Sequence, residues 1–488
     1  MAFPEWVEKQ KKRGYEIKCI RGKYYMYKLK SKWDPIRGKA RKVSGEYIGR
    51  VTPEGVTPKR KSIDATLPIY AIECGATAFV SSISGDILEA LRSHFSDNVA
   101  KQIFAVAMLR LVSPCPFSRI SDRYETSWMS KTFPGLALSP SSITGLLDVV
   151  GGDRAACAAF MRETMGASPY YLIDGTRTAS SSDGIFRAAS GYSKTKEYLP
   201  QLNQVYIMAI SEGGGAPVFY RNVAGNIPDV SALELTMEDA KIKEATFIGD
   251  TGFGSADNFS MLMDSGVDYI VPLKRNTGEV ELGAIGFDSV FSYHHRTIWA
   301  YSALKGDYRV CVFRDEKLRS EEMTDFVERA EKANATTEAK KSFTPGQDAL
   351  RDVSTETAAK SKEFGIIIIR TSLMDATPQK IYEAYKTRWE IEQLFDTMRN
   401  VCENDTSYMH DDAGFEAWSF IGHVTLMAAC RILSLLKEKN MSKKWSLRGV
   451  LDHLSRIYAV LIADEWKIAE MTKKTQELVA KLEFDIPA

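Results

Sequence analysis

The pattern of hydrophobic and polar residues divides the chain into three parts. Runs rich in aromatic and β-branched residues predict short strands near the N-terminus, at Gly14–Ile20, Lys23–Lys30 and Lys42–Val51. Helical periodicity follows over residues 84–112 and 140–165. From about residue 167, buried-type strands alternate with helices. The pattern therefore predicts a β-rich N-terminal module, a helical domain and an α/β domain, in that order.

The α/β part places acidic residues at the ends of predicted strands. The run Tyr170–Ile173 ends in Asp174, and a later strand, Ala245–Ile248, ends next to Asp250. A hairpin over residues 205–220 lies between them. This order of elements is how a ribonuclease-H-like mixed sheet presents carboxylates. We therefore expect an α/β fold in which such a sheet is flanked by helices.

Residues 275–365 interrupt this scheme as a β-rich insertion. Phe287–Phe313 is strand-like, and the charged stretch Arg314–Glu363 is typical either of solvated helix or of partial disorder. A buried strand returns at Gly365–Arg370. The expected domains are a basic β-rich module, a helical domain, the α/β domain in two segments, the insertion and a C-terminal helical region, at residues 1–62, 63–165, 166–274 with 366–438, 275–365 and 439–488.

The segment after the last buried strand carries candidate chemistry on one face of a predicted helix. At about 100° per residue, this face holds Tyr385, Arg388, Glu392 and Arg399. An adjoining apolar stripe can pack on a core, and it consists of Ile391, Leu394, Phe395 and Met398. One acid between two guanidinium groups suits a site that handles a metal and phosphates. A surface helix with salt bridges is the alternative.

Three acidic residues, Asp174, Asp250 and Glu392, form a candidate set of metal ligands. Two divalent ions roughly 4 Å apart can clamp an in-line phosphoryl displacement. Hard oxygen ligands suit Mg²⁺ or Mn²⁺ for this task. Each aspartate taken alone is also compatible with an ordinary turn after a strand. Glu390 falls away from the shared helix face, whereas Asp396 is a rival to Glu392 on geometry alone.

The formal net charge of +1 conceals a strong asymmetry. Residues 1–62 hold 18 Lys and Arg against 6 Asp and Glu, a balance of +12, and the remainder holds 46 against 57, a balance of −11. A strongly basic module on a mildly acidic body indicates a polyanionic partner, with nucleic acid first. A solvated basic surface is the alternative. The interleaved aromatics could stack on bases or form the buried side of a small sheet, and they are Tyr24, Tyr25, Tyr27, Trp33 and Tyr47.

The seven cysteines are scattered, with no CxxC pair and no His/Cys cluster. This argues against a structural zinc site or a disulfide framework and favours a reducing, cytosolic setting. The N-terminus has no apolar signal region. The long apolar segment Ala417–Leu436 is interrupted by His423 and Arg431, so we expect a buried helix and no membrane partner.

Several motifs in order resemble those of one family. Tyr385, Arg388 and Glu392 match the signature Y-x2-R-x3-E-x6-K, with Arg399 where lysine is usual. Asp250–Phe253 matches D-x-G-F, and the first acid lies in the motif Tyr171–Thr176. The connecting signature is matched by Gly191–Lys194, Gln204 and Gly225–Asp229. Over about residues 167–435 the chain resembles bacterial insertion-sequence DDE transposases of the cut-and-paste group with the Tyr-Arg-Glu-Lys signature.

This resemblance implies roles for individual residues. Asp174, Asp250 and Glu392 would bind two Mg²⁺ or Mn²⁺ ions, which favours Glu392 over Asp396. DNA would be contacted by Tyr385, Arg388, Arg399 and Lys194, with guanidinium groups suited to bidentate phosphate contact. Trp299, in the insertion, could stack on a flipped base. A buried core tryptophan is the alternative for that residue.

The resemblance also implies a function. It indicates a metal-dependent transposase that cuts double-stranded DNA at terminal inverted repeats and joins the ends to target DNA, acting as a homodimer. Apart from the resemblance, we expect the basic β-rich module, from its charge, and the helical domain to contribute DNA binding, and we expect a cytoplasmic, nucleoid-associated setting. The alternatives are a DNA-binding protein with a decayed catalytic domain and a nuclease of the same fold that cuts but does not join.

Overall fold

The structure is a computed structural model that describes residues 3–34, 38–58, 70–190, 200–211, 214–227, 232–341, 350–400, 406–462 and 464–487. It divides into two compact units. The first comprises Met1–Tyr70 with Ile462–Glu465, and the second comprises Ala71–Leu461 with Trp466–Ala488. The candidate chemistry of the α/β region lies in the second unit, and the basic module lies in the first.

The N-terminal unit contains a short helix, α1 (Glu5–Glu8), and an antiparallel sheet. The strands of this sheet follow in sequence order: β1 (Tyr15–Ile20), β2 (Lys23–Asp34), β3 (Lys39–Thr52) and β4 (Gly55–Pro58). The three predicted strands are confirmed, and β2 and β3 extend beyond the predicted segments. The β1–β2 turn is tight because Arg21 and Gly22 both adopt positive φ angles, 51° and 74°, which a two-residue hairpin loop requires.

The helical region of the second unit follows a short strand, β5 (Tyr70–Glu73). Its helices are α2 (Gly75–Ser82), α3 (Gly85–His94), α4 (Asp97–Val112), α5 (Ile120–Glu125), α6 (Met129–Thr132), α7 (Pro140–Gly152) and α8 (Arg154–Thr164). The helical periodicity predicted from residue 140 is confirmed, because α7 begins at Pro140 and Ser139 caps it. The Ser139 hydroxyl accepts a hydrogen bond from the Ser142 N–H at 3.3 Å, and proline occupies the first helical position.

A large mixed sheet forms the centre of the second unit. Its strands are β6 (Tyr170–Ser180), β7 (Ala189–Ser190), β8 (Pro200–Ser211), β9 (Gly214–Ala224), β10 (Thr246–Ile248), β11 (Asp268–Leu273), β12 (Ser289–Tyr293), β13 (Arg296–Lys305), β14 (Tyr308–Asp315), β15 (Ile366–Thr371) and β16 (Thr406–Ser407). The order β9-β8-β6-β10-β11 contains two parallel pairs, β6–β10 and β10–β11, and two antiparallel pairs. The hairpin and the buried strands predicted for this region are confirmed.

The β-rich segment of the expected insertion extends the same sheet. Strand β14 pairs antiparallel with β15, and β15 pairs antiparallel with β11, so β12, β13 and β14 continue the sheet beyond β11. A separate core cluster on this part contains Val310, Val312, Ile366 and Ile368. The charged stretch that follows is helical in its described residues, as α11 (Glu316–Lys341) and α12 (Val353–Lys360).

The remaining helices cover the sheet and complete the core. They are α9 (Leu233–Ala240), α10 (Ala256–Asp264), α13 (Pro378–Lys386), α14 (Trp389–Asn400), α15 (Asp412–Glu438), α16 (Leu447–Leu454) and α17 (Lys473–Leu482). Helix α15 is long and apolar enough to cross a membrane, but its most apolar window is 78% buried inside the protein, as expected of a core helix. The prediction that residues 439–488 are helical is incomplete, because strands β17 (Tyr458–Ile462) and β18 (Glu465–Ile468) also form there.

Candidate functional site

The two candidate aspartates lie on neighbouring parallel strands. Strand register places Ile248 opposite Leu172, so Asp250 and Asp174 both come two residues further along. Side chains two residues apart along a strand share a face, and matched positions on parallel strands lie side by side. The sequence prediction that a strand ends at Asp174 is wrong. Strand β6 continues to Ser180, since its pairing with β8 runs unbroken through Asp174.

Short local hydrogen bonds orient both aspartates. One carboxylate oxygen of Asp174, Oδ1, accepts from the N–H of Gly175 at 2.8 Å. Likewise, Asp250 Oδ1 accepts from the N–H of Thr251 at 2.6 Å, which caps a single 3₁₀ turn after β10. In each residue the other oxygen, Oδ2, faces the same arginine.

The predicted helix bearing Glu392 is interrupted, and the break positions that arginine. Helix α13 ends at Lys386 and α14 begins at Trp389, so the prediction of one continuous helix is wrong. Across the break, the N–H of Arg388 donates to the carbonyl of Tyr385, three residues back. A three-residue step turns the chain more tightly than an α-helix does. The apolar stripe Ile391, Leu394, Phe395 and Met398 is nevertheless buried as predicted.

All three candidate acids meet the guanidinium group of Arg388. Its Nη2 atom is 3.5 Å from Asp174 Oδ2 and 3.5 Å from Asp250 Oδ2, and Nη1 donates to Glu392 Oε1 at 3.1 Å. The two aspartate oxygens are therefore no more than twice that distance apart. The structure thus brings together acids from two strands and a helix around one positive charge. Asp396, the rival to Glu392, instead accepts a hydrogen bond from Asn400.

The solvent exposure of the side chains differs across the site. The side chains of Asp174 and Arg388 are 20% and 21% exposed, whereas those of Asp250 and Glu392 are 47% and 61% exposed. Three carboxylates against one guanidinium leave a formal charge of −2. This surplus of negative charge at a partly open surface would attract a cation.

The donor set fits a divalent metal, although another cation holds the position in this conformation. Among the residues that the structure describes, no group of three or more His, Cys, Asp or Glu side chains is arranged to hold a metal ion. Carboxylate oxygens are nevertheless the hard ligands that Mg²⁺ and Mn²⁺ prefer. The positive charge of the Arg388 guanidinium takes the place that the charge of a metal ion would have among the three acids.

Tyr385 is half-buried and lies close to Arg388, Asp250 and Glu392. Burial raises the pKa of its phenol above the usual value, while the Arg388 charge lowers it and the charges of Asp250 and Glu392 raise it. The phenol therefore keeps its proton at neutral pH. A protonated phenol can donate a hydrogen bond to an anionic oxygen.

The other candidate DNA-binding residues are placed apart from the three acids. Arg399 donates from Nη2 to the hydroxyl of Thr176 at 3.2 Å, which ties the end of α14 to β6 two residues beyond Asp174. Trp299, on β13, is half-buried, and the guanidinium of Arg314 lies 5.7 Å from its ring. Lys194 lies outside the described residues, as do its neighbours in the connecting signature.

Two further polar networks join distant elements of the second unit, and the sequence did not predict either of them. In the first, Arg187 donates to Asp412 at 2.9 Å and to Glu416 at 2.7 Å, joining the strand region to helix α15. Asn222 donates to the second oxygen of Glu416 at 2.9 Å and accepts from Gln204 at 2.9 Å. Gln204 is the one member that a motif could have revealed. The partners are separated by up to 229 residues along the chain, so spacing gives no sign of them.

The second network centres on Asp315, whose side chain is fully buried at the end of β14. Its Oδ2 accepts from the Tyr382 hydroxyl and from Arg296 Nη1, both at 3.1 Å. Its Oδ1 accepts from the N–H of Leu318, which begins α11. Asp315 thereby connects the added strands to helix α13, which leads directly into Arg388. A strand followed by an aspartate is the only sequence signal, and it also fits an ordinary helix cap.

The basic sheet of the N-terminal unit, taken by itself, has two unlike faces. One face packs on α1 through the core residues Val7, Ile17, Met26 and Val51, and Tyr24 lies on that side against Phe3 and Trp6. The other face carries a tyrosine group, Tyr25, Tyr27 and Tyr47, with ring centroids 6.0 and 5.4 Å from that of Tyr47. Lys18 Nζ lies 5.7 Å from the centroid of the Tyr27 ring, and Arg50 on β3 is opposite Tyr25 on β2. The interleaved aromatics thus divide between a buried side and an open, basic side.

The family of this protein follows from its sequence once the site is defined. Residues 168–428, more than half of the chain, match the family model described as a transposase DDE domain. The chain belongs to the transposase DDE domain family, a family of enzymes that act on DNA. DDE transposases generally use divalent metals.

Among solved structures, this chain is similar to a transposase complex. The piggyBac transposase synaptic complex with hairpin DNA is 9% identical, with a TM-score of 0.40, and the similarity covers 74% of this chain and 70% of that one. No curated protein matches this chain.

Proposed function

We propose that this chain is a metal-dependent DNA transposase of the insertion-sequence type with the Tyr-Arg-Glu-Lys signature. It would cleave double-stranded DNA at the terminal inverted repeats of its element and join the ends to target DNA by in-line phosphoryl transfer. The observation that carries the proposal is the convergence of Asp174, Asp250 and Glu392 on Arg388. The sheet order β9-β8-β6-β10-β11 supports the ribonuclease-H-like arrangement expected for such an enzyme.

The three acids would hold the metal pair. Two bound divalent ions supply an activated attacking oxygen and a stabilised leaving oxygen. The local hydrogen bonds at Gly175 and Thr251 fix one oxygen of each aspartate, so the other oxygen is held toward the site. Preorganised ligands of this kind avoid the cost of ordering during the reaction.

The chain's cationic and phenolic groups would position the DNA. Arg388 can bind two oxygens of one phosphate, because its planar guanidinium presents parallel N–H groups. Tyr385 would donate its phenolic hydrogen to a phosphate oxygen beside it. Arg399 carries an exposed charge close to β6 and would contact the backbone further along the DNA, as would Lys194. We keep Trp299 as a candidate for stacking on a flipped base, because its ring is only half-buried.

The open face of the N-terminal sheet would provide further DNA contacts. Its three tyrosines present aromatic surface, and Lys18 and Arg50 supply positive charge beside them. Phosphate contacts from Lys and Arg dominate the affinity of such surfaces, and aromatic rings add contacts to sugars or bases. We expect an active homodimer, because joining two DNA ends requires two sites, and a cytoplasmic setting at the nucleoid.

The test is a cleavage and joining assay with the full chain. The DNA that flanks its own gene is incubated with the protein and Mg²⁺, and each cut is mapped to the nucleotide. A supercoiled target plasmid is then added to detect joined products. Mg²⁺-dependent cuts at the element boundaries followed by joining are expected. Cuts without joining would indicate a nuclease, and a gel shift without any cut would indicate a DNA-binding protein with a decayed site.

A further inference from the structure

The position of Arg388 has a consequence beyond DNA binding. In the structure one guanidinium contacts all three candidate metal ligands, at 3.1 Å from Glu392 and 3.5 Å from each aspartate. A divalent metal ion would need the same carboxylate oxygens at about 2.0–2.6 Å. Two positive ions that share the same oxygens repel each other at such short range. Arg388 and a metal ion therefore cannot both occupy the centre of the site.

Arg388 is held in place only loosely. Its Nε atom is buried and finds no hydrogen-bond partner among the described residues. The contacts with Asp174 and Asp250, at 3.5 Å, are longer than a typical charge-assisted hydrogen bond of about 2.7–2.9 Å. The backbone of Arg388 is hydrogen-bonded on both sides of the break between α13 and α14, to the Tyr385 carbonyl and from the Ile391 N–H, so the freedom to move belongs to the side chain alone. These features allow the guanidinium to move without unfolding either helix.

We propose that Arg388 and the divalent metal compete for Asp174, Asp250 and Glu392, and that a DNA-end phosphate resolves the competition by binding Arg388. This inference rests on the proposed function, since it assumes the metal site and the DNA end. Without DNA, Arg388 neutralises the acids and weakens metal binding. With DNA, the phosphate takes the guanidinium, and the acids become available to the metal. DNA and metal binding are then positively coupled, and the coupling is reciprocal.

The experiment measures Mn²⁺ affinity directly, by the loss of the free-ion electron paramagnetic resonance signal, with the full chain and no DNA. Arg388→Gln removes the competing charge, and we expect it to bind Mn²⁺ about tenfold more tightly than the native chain, within the usual range of coupling between sites. The matched control is Arg92→Gln. It removes the same charge from a residue that pairs with Glu89 and Asp97 and not with the three acids, so its Mn²⁺ affinity should stay within about twofold of the native value.

A second measurement adds a duplex that carries the DNA at the boundaries of the element. The native chain should now bind Mn²⁺ about tenfold more tightly than without DNA, whereas Arg388→Gln should show no such gain. The double variant Asp174→Asn/Asp250→Asn gives the background of Mn²⁺ held by DNA or by other acids. Arg388→Lys, which keeps the charge on a shorter and non-planar group, should fall between the native chain and Arg388→Gln, and it also serves if Arg388→Gln fails to fold.

Two results would overturn the inference, and they differ in what else they overturn. If Arg388→Gln and Arg388→Lys bind Mn²⁺ no more tightly than the native chain while the double aspartate variant binds it less tightly, the metal site stands and the competition is wrong. If, with the duplex present, the double aspartate variant binds Mn²⁺ as tightly as the native chain, the metal site of the proposed function is wrong as well. Neither outcome depends on catalytic turnover.

Discussion

The arginine–carboxylate clusters of Arg187 and Arg388, both in the second unit, differ in how completely each is bonded. Arg187 donates hydrogen bonds of 2.9 and 2.7 Å to Asp412 and Glu416, and Asn222 satisfies the second oxygen of Glu416. Arg388 donates to Glu392 at 3.1 Å, but its contacts with the two aspartates are longer ion pairs. The first cluster sets two acids against one guanidinium, a formal charge of −1, and adds a neutral amide as a donor. The second sets three acids against one guanidinium, a formal charge of −2.

This difference separates a structural role from the functional role that we propose. Partly buried charges whose hydrogen bonds are made hold distant elements together, because breaking those bonds leaves a group without a partner. Carboxylates that meet around one guanidinium at longer distances, as Asp174 and Asp250 do, retain the capacity to bind another cation. Both clusters are acidic residues around an arginine, so the residue types alone do not distinguish them.

The largest effect that we expect falls on the Arg388 cluster. Asp174→Asn, Asp250→Asn and Glu392→Gln should each lower DNA cleavage by more than the roughly 10- to 100-fold that loss of an outer-shell metal partner costs, because each removes a proposed direct ligand. The measurement is the rate of cleavage of element-end DNA in Mg²⁺, with DNA binding followed by gel shift. Full cleavage by the Asp250→Asn protein would contradict the proposed site. The comparison variant is Asp412→Asn, which should still cleave at a temperature where it remains folded.

The next effect is on the stability of the Arg187 cluster. Glu416→Gln should lower the free energy of unfolding by about 3 kcal/mol, because it replaces a mostly buried charged acceptor of the hydrogen bonds from Arg187 and Asn222 by a neutral amide. Urea unfolding measures this change. Mn²⁺ affinity should stay at the native value in this variant, whereas Glu392→Gln should lower Mn²⁺ affinity with little change in unfolding. If both variants change the same property, the two clusters do not have separate roles.

Glu73 offers a third case for comparison. Its carboxylate accepts hydrogen bonds from a backbone N–H and a hydroxyl, and not from a guanidinium. Ala76 N–H and the Thr77 hydroxyl donate to it at 2.6 and 2.7 Å. Burial raises the pKa of Glu73 from 4.5 to about 7, against the lowering effect of these hydrogen bonds. Between those pH values the folded chain binds more protons than the unfolded chain, so the free energy of unfolding falls as pH rises through this window.

Glu73→Gln removes this titration and tests it. The native chain should lose about 2 kcal/mol of unfolding free energy between pH 5 and pH 8 relative to the variant. Urea unfolding at both pH values gives the difference. An identical pH dependence for the two proteins would show that burial does not outweigh the hydrogen bonds at this carboxylate.

The smallest expected effect is on the salt dependence of DNA binding by the basic sheet of the first unit. This sheet carries positive charges, whereas the candidate site of the second unit carries acids. Lys18→Gln and Arg50→Gln should each reduce the slope of log affinity against log salt concentration for DNA by about one, because each removes one phosphate contact. Lys9→Gln is the matched control, since Lys9 caps the C-terminal end of α1, which covers the opposite face, and pairs with Glu5. A slope that changes equally for all three variants would mean that the tyrosine face is not the DNA surface.

Much of the fold was predictable because buried strands and apolar helix faces have short-range patterns. The strands around Tyr171, Phe247 and Ile368 were expected from continuous apolar runs, and the core stripe of α14 was expected from its periodicity. The length of β6 was missed, because Asp174-Gly175 is typical of a turn and only pairing with β8 keeps it extended. The break before Trp389 was also missed, since the sequence there contains neither glycine nor proline.

The sequence by itself determined which residues carry the candidate chemistry, because ordered motifs and a matching family domain depend only on residue identity and spacing. It also determined the basic character of the first 62 residues. Only the tertiary structure decided that one arginine contacts all three acids and that another arginine bonds its acids fully. Those contacts join residues up to 229 positions apart, and their lengths depend on how strands and helices pack. Because charge interactions change steeply over an ångström or two, that packing separates a structural ion pair from the candidate site for metal and DNA.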